Sequence, residues 1–323
     1  MTTLYPFLLE SQMVARPWGG HALADLFNKP VTGDQPIGES WEAYPKSVIT
    51  NGELAGITVQ EAFDRFGARI TPDDHGEFPL LIKFLDAREW LSVQVHPDDE
   101  QARQLENQPR GKTECWYILD AAPGAQLAYG VREELTVEQF RQMIADGHAN
   151  QLMANIPVKA GDFVYVPAGT PHAIGPGIVL YELQQMSDVT YRVYDWDRVG
   201  LDGKPRELHL EKALKVMTLH PRPVITVAPP EITGSQGNMV SRLTRAAYFG
   251  LDRLRVIKPT VEYSLEGTCN LLTVINGTIM VNDVTVGKGQ TVLIPAGLAH
   301  FTLSLPARTT EAEVLRAWPT IRE

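Results

Sequence analysis

Two stretches of this chain repeat one another. Residues 161–172 read GDFVYVPAGTPH, and residues 289–300 read GQTVLIPAGLAH. In each, a glycine turn leads into a short β-favouring run, and a Pro-Ala-Gly turn then leads to a histidine. Upstream, WYILD at 116–120 stands against LTVIN at 272–276. Two matches in the same order predict one structural unit present twice in tandem. The interval from Leu119 to His172 exceeds that from Ile275 to His300 by 28 residues. A helix fills that excess: Thr136 caps it, Gln139 completes a capping box, and Gly147 ends it. A proline-rich bridge at 220–230 marks the join, which predicts a first unit over 1–220 and a second over 221–323.

The unit is a β structure. The chain holds 26 glycines and 23 prolines, and they punctuate short β-branched runs at 163–166, 178–183, 271–275 and 291–294. Such spacing predicts jelly-roll barrels. The expected fold is mainly β: two tandem jelly-roll β-barrels, with a few helices inserted in or flanking the first. Two further helices are expected, over 59–66 and over 206–217, the latter with Leu208, Leu214 and Met217 on one side. With 323 residues, 44% of them hydrophobic, the chain can bury two cores.

Composition also excludes. No apolar stretch of about 18 residues occurs, so no membrane span is expected. The N-terminus lacks a basic region followed by an apolar one, and only Cys115 and Cys269 occur, so a reducing cytoplasm is expected. A net charge of -10 opposes nucleic-acid binding and leaves room for a small anionic ligand held by a few local cations.

Three residues of the first unit point to a metal. His96 ends the run LSVQVHP, Glu114 lies in GKTECWYI, and His172 ends the repeated motif. Two imidazoles and a carboxylate hold a divalent ion with a coordination position left open for chemistry. Their separations are too long for a zinc finger and suit neighbouring strands of a barrel. Gln94 shares a strand face with His96 and is a weaker fourth ligand. Lys112 shares a face with Glu114, where an ammonium calls for an anion or serves as a proton shuttle. Arg192 shares a strand face with Thr190, Tyr194 and Trp196, a pattern that aims a fixed charge into the barrel mouth from among aromatics. Trp18, in a glycine turn, is a further wall candidate. The second unit has Asn270 opposite Glu114 and keeps only His300, so it is expected to carry no metal.

These motifs resemble the type I mannose-6-phosphate isomerases in their short bacterial form. The matching stretches are PWGG at 17–20, GESW at 38–41, PLLIK at 79–83, QVHP at 94–97, GKTE at 111–114, PAGTPH at 167–172 and TYRVYD at 190–195. The resemblance implies a tandem cupin architecture and one zinc ion held by His96, Glu114 and His172, with Gln94 matching a glutamine that the longer members also use as a ligand. It also implies Arg192 and Lys112 as catalytic residues. The implied reaction interconverts mannose 6-phosphate and fructose 6-phosphate through an enediol, with a sugar phosphate as the small-molecule partner. Lys112, Glu182, Asp188 and a water on the metal all stand as proton carriers. The same donors also fit a non-haem iron cupin dioxygenase, and the same fold a sugar-phosphate-binding protein without turnover.

Overall fold

The computed structural model describes residues 3–320 except 32, 74, 225, 227, 235 and 236. Two residues of the proline-rich bridge, 225 and 227, therefore lie outside the described residues. The chain is 41% strand and 16% helix, a mainly β fold. Four antiparallel sheets carry it, and each is open-edged among the described residues. A six-stranded sheet runs in the order Gln12–Gly20, Ile37–Ala43, Leu80–Ala87, Ile178–Gln185, Glu114–Ala121, Phe163–Val166. A five-stranded sheet faces it: Tyr191–Tyr194, Val93–Val95, His172–Ile174, Gln126–Val131, Met153–Pro157. The C-terminal part has a seven-stranded sheet with Thr291–Ile294, Asn270–Asn276, Ala312–Pro319 and Phe249–Val256 at its centre. Its companion is four-stranded: Thr260–Ser264, His300–Ser304, Thr278–Val281, Val284–Gly287.

Strand alternation decides how these sheets stack. On Glu114–Ala121, Trp116 and Ile118 point towards the five-stranded sheet, where they pack in one core with Leu127, Tyr129 and Ile174. Cys115 and Tyr117 point the other way. They join Ile82, Phe84, Tyr181 and Leu183 against Phe249, Leu251, Leu271 and Leu315 of the seven-stranded sheet. The six-stranded sheet is thus covered on both faces, which is why its strands read as largely hydrophobic runs. A third core, including Leu272, Val292, Phe301 and Leu303, lies inside the C-terminal pair of sheets. The first strand, Phe7–Leu9, crosses over and pairs with Thr291–Ile294 as the edge of the seven-stranded sheet. It ties the two ends of the chain together.

Helices cover the outer face of the five-stranded sheet. Val137–Ala145 starts at a capping box made by Thr136 and Gln139, and Phe140 anchors it in the core beneath. Val59–Phe66, which starts at an equivalent box made by Thr58 and Glu61, lies elsewhere and packs Val59, Ala62 and Phe63 into the core that holds Phe84, Phe249 and Leu271. The helix expected over 206–217 is confined to Leu210–Val216, because residues 206–209 fold as loop against the strand Tyr191–Tyr194. Among the described residues, no helix is long and apolar enough to cross a membrane.

Candidate metal centre

Each of the three motifs delivers its side chain from the end of a strand. His96 follows Val93–Val95, and the chain then turns at Pro97 into a helix, Asp99–Glu106, boxed by Asp98 and Gln101. Glu114 opens its strand and pairs in register with Val166, the last strand residue before the Pro-Ala-Gly turn. That turn returns the chain at His172, which pairs with Gln94 on one side and Tyr129 on the other. Gly161, at φ +90°, sets the entry to this hairpin in a conformation open to glycine.

The three side chains are buried, and their ligating atoms lie within 4.8 Å of one another. His172 Nε2 is 3.2 Å from Glu114 Oε1, and His96 Nε2 is 3.7 Å from Oε2. Backbone carbonyls fix both rings. His96 Nδ1 lies 2.9 Å from the Val189 carbonyl oxygen, and His172 Nδ1 lies 2.9 Å from that of Thr170. A carbonyl only accepts, so each Nδ1 must carry the proton. Each ring then turns its Nε2 towards the Glu114 carboxylate. Neither Glu114 oxygen accepts a hydrogen bond of ordinary geometry, although the Lys112 ammonium lies 2.5 Å from Oε2. Two ring nitrogens and a carboxylate buried this close together, with Lys112 at one side only, form a donor set that suits a divalent cation. The residues therefore fit a metal. The backbone contacts at Nδ1 are the outer support that metal-binding histidines use.

Lys112 Nζ adds a charge beside this cluster, 2.5 Å from Glu114 Oε2 and 3.1 Å from His96 Nε2. Burial depresses the His96 imidazole well below its usual range, and the Lys112 ammonium depresses it further, so it stays a neutral donor. Burial pushes the Glu114 carboxyl up, but the Lys112 charge and the two adjacent histidines together outweigh this and hold it well below the ordinary carboxylate range. Gln94 lies at the rim, its amide nitrogen 3.3 Å from His172 Nε2. A half-turn of this amide presents the oxygen instead.

Gln94 and Lys112 also line a cavity of about 650 Å³ that opens beside the triad. Arg192 faces it from the neighbouring strand, directly across from Gln94. Gln94, Arg192 and His172 thus form one row on one sheet face. The expectation that Tyr194 and Trp196 share the face of Arg192 fails. A β-bulge between Arg192 and Tyr194 adds a residue and reverses the alternation. Tyr194 and Trp196 pack instead on the helix-covered side. Arg192 donates through Nη1 to the Glu207 carbonyl at 2.9 Å, and its buried Nε has no partner. Burial, together with the Arg206 charge, lowers its pKa from the usual guanidinium value.

Other wall residues gave little sequence signal. Lys83 interrupts an apolar strand and bonds both Glu182 and Gln184 at 2.9 Å. Burial alone would lower its pKa, but Glu182 and Glu39 raise it, so the ammonium persists. Arg16 clasps Glu39 through two bonds of 2.9 and 3.1 Å. Arg206 and His209 enter from the loop before the last helix, and Asp195 braces Arg206 and Arg198 together. Trp18, Glu182 and Asp188 line the cavity as well. An inward-facing lysine in an apolar strand was a readable signal for Lys83; nothing local marked Arg206.

Comparison with known proteins agrees with this geometry. Residues 7–142 match the family described as phosphomannose isomerase type I, catalytic domain. The chain is 39% identical to mannose-6-phosphate isomerase of Streptococcus mutans, over 90% of this chain and 92% of that protein. It is 38% identical to the probable mannose-6-phosphate isomerase GmuF of Bacillus subtilis, over 93% and 96%. The crystal structure of mannose 6-phosphate isomerase from Bacillus subtilis superposes with a TM-score of 0.86 at 33% identity. That match covers 97% of this chain and 99% of the other.

Proposed function

The chain belongs to the type I mannose-6-phosphate isomerase family, and from that premise we propose that its cavity carries out zinc-assisted interconversion of mannose 6-phosphate and fructose 6-phosphate. The observation that carries the reading is the buried Glu114 carboxylate converging with two imidazoles, each fixed by a backbone carbonyl, beside a cation-lined cavity. His96, Glu114 and His172 would hold the ion, with Gln94 as a fourth donor. Two nitrogens and an oxygen suit zinc, which acts as a Lewis acid without changing oxidation state.

The chain's own residues supply the remainder. Moving a proton between C1 and C2 of the open sugar builds negative charge on O1 and O2. Lys112 and Arg192 face that charge as fixed cations, each worth about 3 to 4 kcal/mol of barrier by analogy with preorganised donors elsewhere. Arg16, Lys83 and Arg206 keep the cavity attractive to a phosphorylated ligand. Glu182 and Asp188 both reach the cavity, and either carboxylate can carry the proton.

The architecture fits the same proposal. Two facing pairs of sheets, divided near residue 220, read as tandem jelly rolls of the cupin type with the metal in the first. Two free, buried cysteines suit a reducing cytoplasm. The test is a coupled assay with mannose 6-phosphate. Chelator should abolish turnover, and zinc should restore it under anaerobic conditions. Turnover that survives complete metal removal would overturn the zinc role. Restoration by iron alone, with a need for oxygen, would replace the isomerase reading with a dioxygenase.

A further inference from the structure

The second copy builds a cavity at the same place as the first, with the charges exchanged. Asn270 pairs with Ile294 as Glu114 pairs with Val166. Leu272 pairs with Arg316 as Trp116 pairs with Glu182. Arg316 then pairs with Asp252 as Glu182 pairs with Lys83. Arg316 thus occupies the position of Glu182, Asp252 that of Lys83, and Asn270 that of the metal-facing carboxylate. Around them is a polar cavity of about 390 Å³, which Arg242 and Arg245 also line.

We propose that this cavity is a second binding site, distinct from the metal centre, for a phosphoryl group: that of a small phosphate monoester or of free phosphate.

Three guanidinium groups meet two carboxylates there, Asp252 and Glu266. Asp252 is buried and engaged by Arg245 Nη2 at 2.7 Å. Arg316 spends its Nε on the neutral amide of Asn270, and among the described residues its two Nη groups have no hydrogen-bond partner. A half-buried guanidinium whose outer fork opens on the cavity without a protein partner favours a planar or tetrahedral oxyanion. The fork is held in place. Arg316 lies over the ring of Trp318 at 5.1 Å, and Arg245 lies over it at 4.5 Å. Little side-chain freedom is then lost on binding. Thr268 also lines the cavity, its hydroxyl shared with that of Thr71 at 3.1 Å. The same exchange disfavours a metal, because Asn270 stands in the place of the Glu114 carboxylate with the Arg316 guanidinium beside it.

Equilibrium dialysis of the zinc-loaded protein with radiolabelled inorganic phosphate tests this, with unlabelled glycerol 3-phosphate as competitor. Arg316→Met should remove one equivalent of bound phosphate per chain, or weaken it at least tenfold, while mannose 6-phosphate turnover stays unchanged. Arg242→Gln, at an exposed position, should weaken the same equivalent without risk to the core. Competition by glycerol 3-phosphate identifies a monoester site, and its failure identifies free phosphate. Phosphate binding that is identical in wild type and both variants overturns the proposal.

Discussion

The two copies share a hairpin and differ in what the hairpin does with its histidine. In the first, His172 is 1% exposed at the side chain and faces Glu114. In the second, His300 is 64% exposed and only loosely faces Glu262 at 3.6 Å. The turn makes the difference. Pro171 precedes His172, and the Thr170 carbonyl takes its Nδ1 proton. In the second copy the Pro-Ala-Gly segment continues as a 3-10 turn over Ala296–Leu298, and Ala299 lies at φ +61° before His300. The backbone turns that histidine outwards. Asn270 then faces Arg316 where Glu114 faces two imidazoles. One scaffold therefore supports a metal-ready cluster or a basic hollow, according to a few residues at the strand ends.

Several changes should break or sharpen this contrast. Glu114→Ala removes the only anionic donor of the first copy, and turnover should fall by more than about 10³-fold, beyond the loss of a single charge-stabilising group. A coupled assay at saturating mannose 6-phosphate measures it. Arg192→Ala should lower kcat on the order of 10²-fold while metal content stays at the wild-type level; an unchanged kcat would reduce Arg192 to a wall residue. Ala299→Gly relieves a positive-φ alanine and should raise stability by about 1 kcal/mol in urea denaturation. Asn270→Glu restores the carboxylate to the second copy but not the second imidazole, and metal analysis should find no additional ion.

The repeat and the three metal-facing residues were legible because each sits beside glycine or proline punctuation that fixes a strand end. His96, Glu114 and His172 needed no long-range information beyond the expectation that strand ends meet. Lys112 was legible for the same reason, two residues from Glu114 on one face. The face of Tyr194 and Trp196 was not, because one inserted residue at the bulge reverses period-2 alternation without any local signal. Arg206 and His209 reach the cavity through a loop whose path depends on tertiary contacts. The pairing of Phe7–Leu9 with Thr291–Ile294 joins opposite ends of the chain, and a short apolar run does not specify its partner.

The most direct test of the central claim is metal content per chain, measured by mass spectrometry on wild type, His172→Ala and His300→Ala after identical zinc loading and dialysis. One zinc in wild type and in His300→Ala, with none in His172→Ala, is the predicted result. Zinc retained by His172→Ala, or lost from His300→Ala, would contradict an ion held by the first copy alone.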